Sequence, residues 1–332
     1  MELRTIFRIP PSDVRITYHD PVMFIGSCFS TSIGKQLEAG RLPVMINPSG
    51  TVYNPVSVCN TLDIITSGRK YKISDLYNHK GTWLSFNHYT EFSSDDPEIV
   101  LKNINSKIEV AGNFISASKF LFITFGTARV YRWKKSGRIV SNCHKIPAGE
   151  FTEELLSVKD VVSLWKKQLD SLKSMFPALK IVFTISPVRH WKDGAHGNQV
   201  SKSVLLLAVE ELLRHPSKPG YFPAYEIVMD DLRDYRFYDD DMLHPSAAAV
   251  RYIWDAFSEC YLEDKTKILW KEVDGITKAM SHRIQSGSEK EIIKFTRSML
   301  ARIRAVEEKL PGISFDREKS YFNDLLKYWN IS

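Results

Sequence analysis

Short, almost wholly apolar runs recur along the chain at 22–25, 43–46, 120–125, 180–185 and 225–229, each bounded on at least one side by Gly, Pro, Ser or Asp. Runs of this length and composition predict strands buried on both faces, as in a parallel sheet. Between them, 30–39, 158–175 and 201–214 carry helix-like patterning. This alternation is that of a doubly wound α/β domain, and five strands suit a flavodoxin-like three-layer sandwich.

One interval breaks the rhythm. Between the second and third runs lie some seventy residues, about 47–119, containing Gly81, Thr82, Trp83, His88, Tyr89 and the Asp95-Asp96 pair. A connection this long predicts an insertion, at about 63–118, whose Trp83 and Tyr89 either cover the sheet edge or line a substrate cleft. A further helical run spans 247–263. The remainder, 265–332, is helix-patterned and charged, broken at Gly287 and at Pro311-Gly312. The chain is therefore divided into an α/β domain, 1–264, and a C-terminal helical extension, 265–332, expected to pack along that domain or to form a homodimer contact.

Composition removes several function classes. The 332 residues are 43% hydrophobic and 25% charged, the balance of a soluble globular protein, and no apolar run approaches a membrane span. The N-terminus shows no signal-peptide pattern, so the expected compartment is the cytoplasm. A net charge of +6, with Lys and Arg dispersed among acids, argues against nucleic acid as a partner. Cys28, Cys59, Cys143 and Cys260 lie far apart without a C-x-x-C spacing, which leaves neither a zinc knuckle nor a disulfide framework. Phosphate-loop, dinucleotide and H-E-x-x-H patterns are lacking, so no cofactor or metal is expected.

Two segments carry candidate chemistry. Gly26-Ser27-Cys28-Phe29 stands where the first strand ends and a helix begins, a place where backbone amides point at a bound anion. Ser27 there is either a nucleophile or an ordinary helix cap, and Cys28 is a rival nucleophile. Asp239-Asp240-Asp241-Met242-Leu243-His244-Pro245 follows the last predicted strand. The D-x-x-H spacing lets the Asp241 carboxylate fold onto its own His244, fixing the tautomer and stabilising the imidazolium formed when the ring accepts a proton. In a parallel sheet both segments emerge at the carboxyl edge, where ligands bind. Arg189 and His190 follow the fourth strand at that edge and are candidate substrate contacts; 191–199, with Gly194 and Gly197, reads as a flexible loop. His144 and Lys145 form a rival acid-base pair or a hydrogen-bonding structural unit.

Gly26-Ser27-Cys28-Phe29-Ser30 resembles the signature of the GSCFA family, within the SGNH or GDSL-like hydrolases, with Ser30 in place of the final alanine. Further matches are Asn47-Pro48-Ser49-Gly50-Thr51-Val52-Tyr53-Asn54-Pro55, Gly126-Thr127-Ala128, Asn142-Cys143-His144-Lys145 and Ser186-Pro187-Val188-Arg189-His190, covering roughly the first three quarters of the chain. The resemblance implies Ser27 as nucleophile, His244 as general base and Asp241 as its orienting carboxylate. It implies an oxyanion hole from the Ser27 and Gly50 amides and an asparagine side chain after the third strand. No asparagine stands at that place, leaving the Thr127 hydroxyl or the Asn142 amide as third donor. The implied activity is metal-independent hydrolysis of an acyl ester through an acyl-enzyme. Aromatic residues with Arg189, His190 and His144 near the cleft suggest an O-acylated carbohydrate; acyl transfer and a non-catalytic scaffold are the alternatives.

Overall fold

The computed structural model describes residues 7–281 and 289–330. Its centre is a five-stranded parallel sheet whose strands alternate between two apolar faces. β1 (Val22–Gly26) is followed by α1 (Cys28–Ala39) and β2 (Val44–Ile46), then α2 (Pro55–Thr66). A hairpin, β3 (Tyr77–His79) and β4 (Thr82–Leu84), leads to α3 (Pro97–Ala117) and β5 (Phe120–Phe125). A second antiparallel unit follows, β6 (Arg129–Trp133), β7 (Ile139–Val140) and β8 (Phe151–Leu155). After it come α4 (Val158–Met175), β9 (Lys180–Ile185), α5 (Gly194–Leu212), β10 (Gly220–Phe222) and the short α6 (Ala224–Glu226), which runs on into a π turn, Ile227–Asp231. The helices α7 (Ala247–Tyr261), α8 (Asp264–Ser281), α9 (Glu289–Lys309) and α10 (Asp316–Asn330) complete the described chain.

The sheet order is β10-β9-β5-β1-β2, with every pairing parallel. From β1 the chain moves to one side to form β2 and then crosses to the other side to form β5. The order reverses between β1 and β5, and a crevice opens at their carboxyl ends.

Alternation along each strand builds both layers. Phe24, Phe120, Phe122, Val182 and Phe222 face one core, with α1, α7 and the C-terminal helices. Ile25, Leu121, Ile123, Phe125 and Phe183 face the other, with α2 to α5. Phe24 stacks on Phe122 at 4.9 Å, and fully buried Trp165 of α4 sits edge-on to Phe125 and Phe183. Each such pair contributes about 0.5–1.5 kcal/mol beyond its buried area. The helix starts are set locally: Ser27, Asn54, Asp96, Ser157 and Ser246 each accept a first-turn amide, with Pro55 and Pro97 in the first turn of α2 and α3.

Four of the five expected strands are present; the fifth is displaced. The run 225–229 is helical, and the edge strand is Gly220–Phe222, separated from it by Pro223 and Ala224. A short apolar run has no periodicity of its own to separate a strand from a buried helical turn, and Pro223 halts the strand and opens the turn. The expected loop at 191–199 is instead a 3-10 turn, Trp191–Asp193, running into α5. Helices from the long interval join the sandwich, since Val58 and Leu62 of α2 and Ala111 and Ile115 of α3 lie in its core. The β3-β4 hairpin and the β6-β7-β8 unit share a separate small core of Leu84, Val140, Ile146 and Phe151.

The C-terminal helices pack intramolecularly. Val273, Ile276, Met299, Ile303, Val306, Phe315 and Phe322 join the core that α1 and α7 face, Trp270 Nε1 donates to the Gln36 carbonyl at 2.6 Å, and Arg41 pairs with Glu318. The break at Pro311-Gly312 separates α9 from α10; the one at Gly287 lies outside the described residues. No described helix is long and apolar enough to cross a membrane.

Candidate active site

Three segments meet the carboxyl edge of the sheet near the β1/β5 crevice: the β1-α1 turn, the loop after β5 and the loop after β9. The first turn is tightly constructed. Gly26 has φ +147°, and a Cβ there would lie 2.2 Å from the Thr124 carbonyl oxygen of β5. Its amide donates to Asn47 Oδ1 at 2.8 Å, while Asn47 Nδ2 donates to Thr31 Oγ1 at 3.1 Å, so one buried side chain pins the end of β1 to α1.

Ser27 lies at this turn, as expected, but its hydroxyl is turned under the helix. Oγ accepts the Phe29 amide at 3.3 Å, the residue is only 2% exposed, and it makes no hydrogen bond with His244. Cys28, the first residue of α1, is partly exposed. Burial holds its thiol above the ordinary cysteine value, against the weaker downward pull of the Phe29 and Cys28 amides and the charge of Lys202, and Asp241 adds to the rise.

The Asp241-His244 loop forms as the spacing predicts. Asp241 Oδ2 meets His244 Nδ1 at 2.5 Å, and Oδ1 accepts the amides of Leu243 at 2.8 Å and His244 at 2.9 Å. The tight loop places Met242 at φ +59° and is closed by the Asp239 amide donating to the His244 carbonyl at 2.8 Å. These bonds, the His244 amide first, then the imidazole and the Leu243 amide, hold the Asp241 carboxyl down at about 2. The depressed value means that Asp241 supports the folded loop at pH above the ordinary carboxylate range, and that this support is lost as pH falls through about 2. We expect carbon-detected NMR titration to find Asp241 ionised at pH 3; a midpoint at the ordinary value of 3.8 would contradict the loop geometry.

Asp241 also lines a cavity of about 570 Å³ with Arg189, Trp191, Val228, Met229, Tyr235, Tyr238 and Leu243. Arg189 is thus brought to the Asp241 loop, its guanidinium 5.6 Å from the Trp191 ring centre. His190 is held beside the cavity wall, its amide donating to buried Asn198 at 2.9 Å and its Nδ1 lying 3.3 Å from Asp193 Oδ2.

The remaining expected site residues are engaged elsewhere. The Ser27 amide donates to Thr124 O at 3.3 Å and the Gly50 amide to Asn47 O at 2.8 Å, so neither of these expected oxyanion donors is free. Gly50 is a glycine for another reason: at φ +81°, a Cβ would sit 2.1 Å from Tyr89 Cβ. The Thr127 hydroxyl lies 3.0 Å from Ser201 Oγ, and Asn142 Nδ2 donates to Thr90 Oγ1 at 3.2 Å. His144 is buried in the added β unit, with Nε2 2.9 Å from the Ser85 carbonyl; its neighbour His88, bonded to Ser85 Oγ, is held down at about 3 by burial.

One residue went unnoticed in the sequence. Lys202 is 1% exposed, with Nζ donating to the carbonyls of Gly126 at 2.7 Å and Ser186 at 2.6 Å, which ties together the ends of β5 and β9. Burial lowers its ammonium to about 7. The signal was available: Lys202 falls on the same stripe of α5 as Leu205, Val209 and Leu212. A charge on the buried stripe of an amphipathic helix is rare without a purpose.

Among the described residues, no group of three or more His, Cys, Asp or Glu is placed to hold a metal ion. Solved structures with a similar arrangement include an acetyl xylan esterase from Butyrivibrio proteoclasticus, at 10% identity, TM-score 0.37, and 77% of this chain against 65% of that one. Another is a family two carbohydrate esterase from Clostridium thermocellum, at 13%, 0.35, 80% and 67%. A third is an acetyl-xylooligosaccharide esterase from Geobacillus stearmophilus, at 12%, 0.36, 76% and 98%. No curated protein matches the sequence. Family models do: the GSCFA family over residues 21–257, and the GSCFA domain protein, C-terminal domain, over residues 273–328. With most of its length matched, including the Ser27 turn and the Asp241-His244 loop, this chain belongs to the GSCFA family.

Proposed function

We propose that this protein hydrolyses an acyl ester through a covalent acyl-enzyme, with His244 as proton carrier, Asp241 as its orienting carboxylate and the Ser27-Cys28 turn as the source of the nucleophile. The observation that carries the reading is the 2.5 Å contact between Asp241 Oδ2 and His244 Nδ1, in a loop that also forms the wall of a cavity. A carboxylate on Nδ1 leaves Nε2 to take the nucleophile's proton and return it to the leaving alcohol. His244 is solvent-accessible enough to do so, its side chain being 47% exposed.

The cavity favours a sugar as the alcohol part of the ester. Trp191, Tyr235 and Tyr238 offer aromatic faces to the apolar side of a pyranose, and Arg189 offers donors to its hydroxyls. A volume of about 570 Å³ suits a small O-acylated saccharide. No metal or cofactor is needed, because the proton transfers stay within the Asp241-His244 pair and water completes the turnover. Incubation with an O-acetylated pyranoside should release acetate, and Tyr238→Ala should raise KM for it more than for p-nitrophenyl acetate. Equal effects on the two esters would remove the carbohydrate part of the proposal. Release of transferred ester in place of acetate, when a second sugar is added, would make the protein an acyltransferase.

A further inference from the structure

We infer that the ester this site takes carries a carboxylate, held by the guanidinium of Arg189, so that its substrate is an O-acylated acidic saccharide. The inference rests on the hydrolytic reading above and names the substrate class. Arg189 lines the same cavity as Asp241 but has no partner of its own. Its Nε is buried without a hydrogen bond, and among the described residues no carboxylate stands within ion-pair distance of its guanidinium. The other charged residues of the cavity wall are matched: Asp241 with His244 at 2.5 Å, Arg233 with Asp230 at 3.2 Å and Asp234 with Arg236 at 3.5 Å. Among the described lining residues, Arg189 alone holds an uncompensated charge.

The surroundings make that charge costly unless a ligand answers it. Trp191, Val228, Met229 and Leu243 give the same cavity apolar walls, against which a cation loses hydration without gaining a counter-ion. A sugar hydroxyl accepts a hydrogen bond but brings no charge. A carboxylate brings both, and its two oxygens match the planar fork of guanidinium donors. The wall's second cation, Arg233, is already held by Asp230, so a single positive charge is on offer. That matches a carboxylate more closely than a phosphate monoester, which carries nearly two negative charges at neutral pH.

The segment bearing Arg189 is held still on both sides. The Val188 amide donates to Oγ of buried Ser186 at 3.3 Å, and the His190 amide donates to Oδ1 of buried Asn198 at 2.9 Å. The Trp191 ring, 5.6 Å from the guanidinium carbon, flanks the side chain. A fork anchored in this way gives up little freedom when a ligand binds. Across the cavity, Tyr238 lies in a β-bridge with Pro245, the residue after His244. A sugar ring against Tyr238 with its carboxylate on Arg189 is thereby set beside the loop that supplies the proton carrier.

The test measures acetate release by the full chain from matched O-acetylated methyl pyranosides: a glucuronoside, its neutral glucuronamide, and a glucoside bearing phosphate in place of the carboxylate. Each is run with the wild type, Arg189→Gln and Arg189→Lys. Calorimetric titration with unacetylated methyl glucuronoside reads binding apart from turnover. We expect the wild type to favour the glucuronoside over the glucuronamide by ~10- to 100-fold in kcat/KM. Arg189→Gln should lose that preference and Arg189→Lys keep part of it, since lysine retains the charge without the fork. We also expect unacetylated glucuronoside to bind Arg189→Gln at least ~10-fold more weakly than the wild type. No wild-type preference, or a preference kept in Arg189→Gln, would overturn the inference and leave the hydrolase reading standing. A preference for the phosphate sugar over the glucuronoside would overturn the carboxylate. Glucuronoside binding indifferent to both Arg189 substitutions would overturn the inference whatever the esterase result. Arg189-dependent binding without any release of acetate would support the carboxylate subsite and count against the hydrolase reading alone.

Discussion

Replacing His244 by Ala should lower kcat/KM for a short acyl ester by about 100- to 10,000-fold while leaving the folded protein intact. The imidazole is about half exposed, and its side-chain bond is to Asp241. Removing it therefore deletes the proton carrier and little else. Asp241→Asn should do related damage by another route: the amide can present its NH₂ to Nδ1 and trap the wrong tautomer, and the loop loses a carboxylate that accepts two amides. Steady-state kinetics with a circular dichroism control tests both. Loss of rate accompanied by loss of fold would reassign the pair to structure.

Gly26→Ala should be the most destabilising single change at the turn. The Cβ would meet Thr124 O at 2.2 Å and Thr124 N at 2.8 Å, both backbone atoms of the adjacent central strand, and the residue's φ of +147° is foreign to an L side chain. Overpacking and backbone strain together cost about 2–6 kcal/mol, a large part of a typical domain's stability. The β1-β5 spacing would have to widen, breaking the Gly26 amide's bond to Asn47 and moving the start of α1. We expect a denaturant midpoint far below the wild type's, or insoluble protein. An unchanged midpoint would mean that the strands separate at this edge with little resistance.

What the sequence disclosed follows from where local chemistry decides structure. β5 and β9 were legible because six-residue runs with five and four apolar, β-rich positions leave few other fates, and α4 because its cap box at Ser157 and its apolar stripe agree. The edge strand was not legible: Gly220–Phe222 is too short to signal, whereas 225–229 is apolar because a turn there is buried. The β6-β7-β8 unit was hidden for a different reason. Its outward charges find their partners only at a distance in sequence, Arg129 with Glu153 and Asp193 and Arg132 with Glu154, pairings that exist once the fold sets the register.

The same distinction runs through the site. Asp241 and His244 lie three residues apart, so their contact is written into the loop itself. The oxyanion donors divide: the Gly50 amide closes a local turn on Asn47, three residues earlier, whereas the Ser27 amide is taken by Thr124, which only the fold brings to it. Whether Ser27 attacks or caps depends on the direction of its Oγ, and here it points to the Phe29 amide. Lys202 was overlooked because a lysine in a helix is ordinary until its stripe is found to face the sheet.

The most direct test of the account is a rapid-mixing experiment in which wild-type protein meets excess p-nitrophenyl acetate and released nitrophenol is followed before the steady state. An acyl-enzyme built on the Asp241-His244 edge predicts a burst stoichiometric with the protein, followed by slower turnover, and neither phase in His244→Ala. Linear release without a burst, at a rate unchanged in His244→Ala, would contradict it.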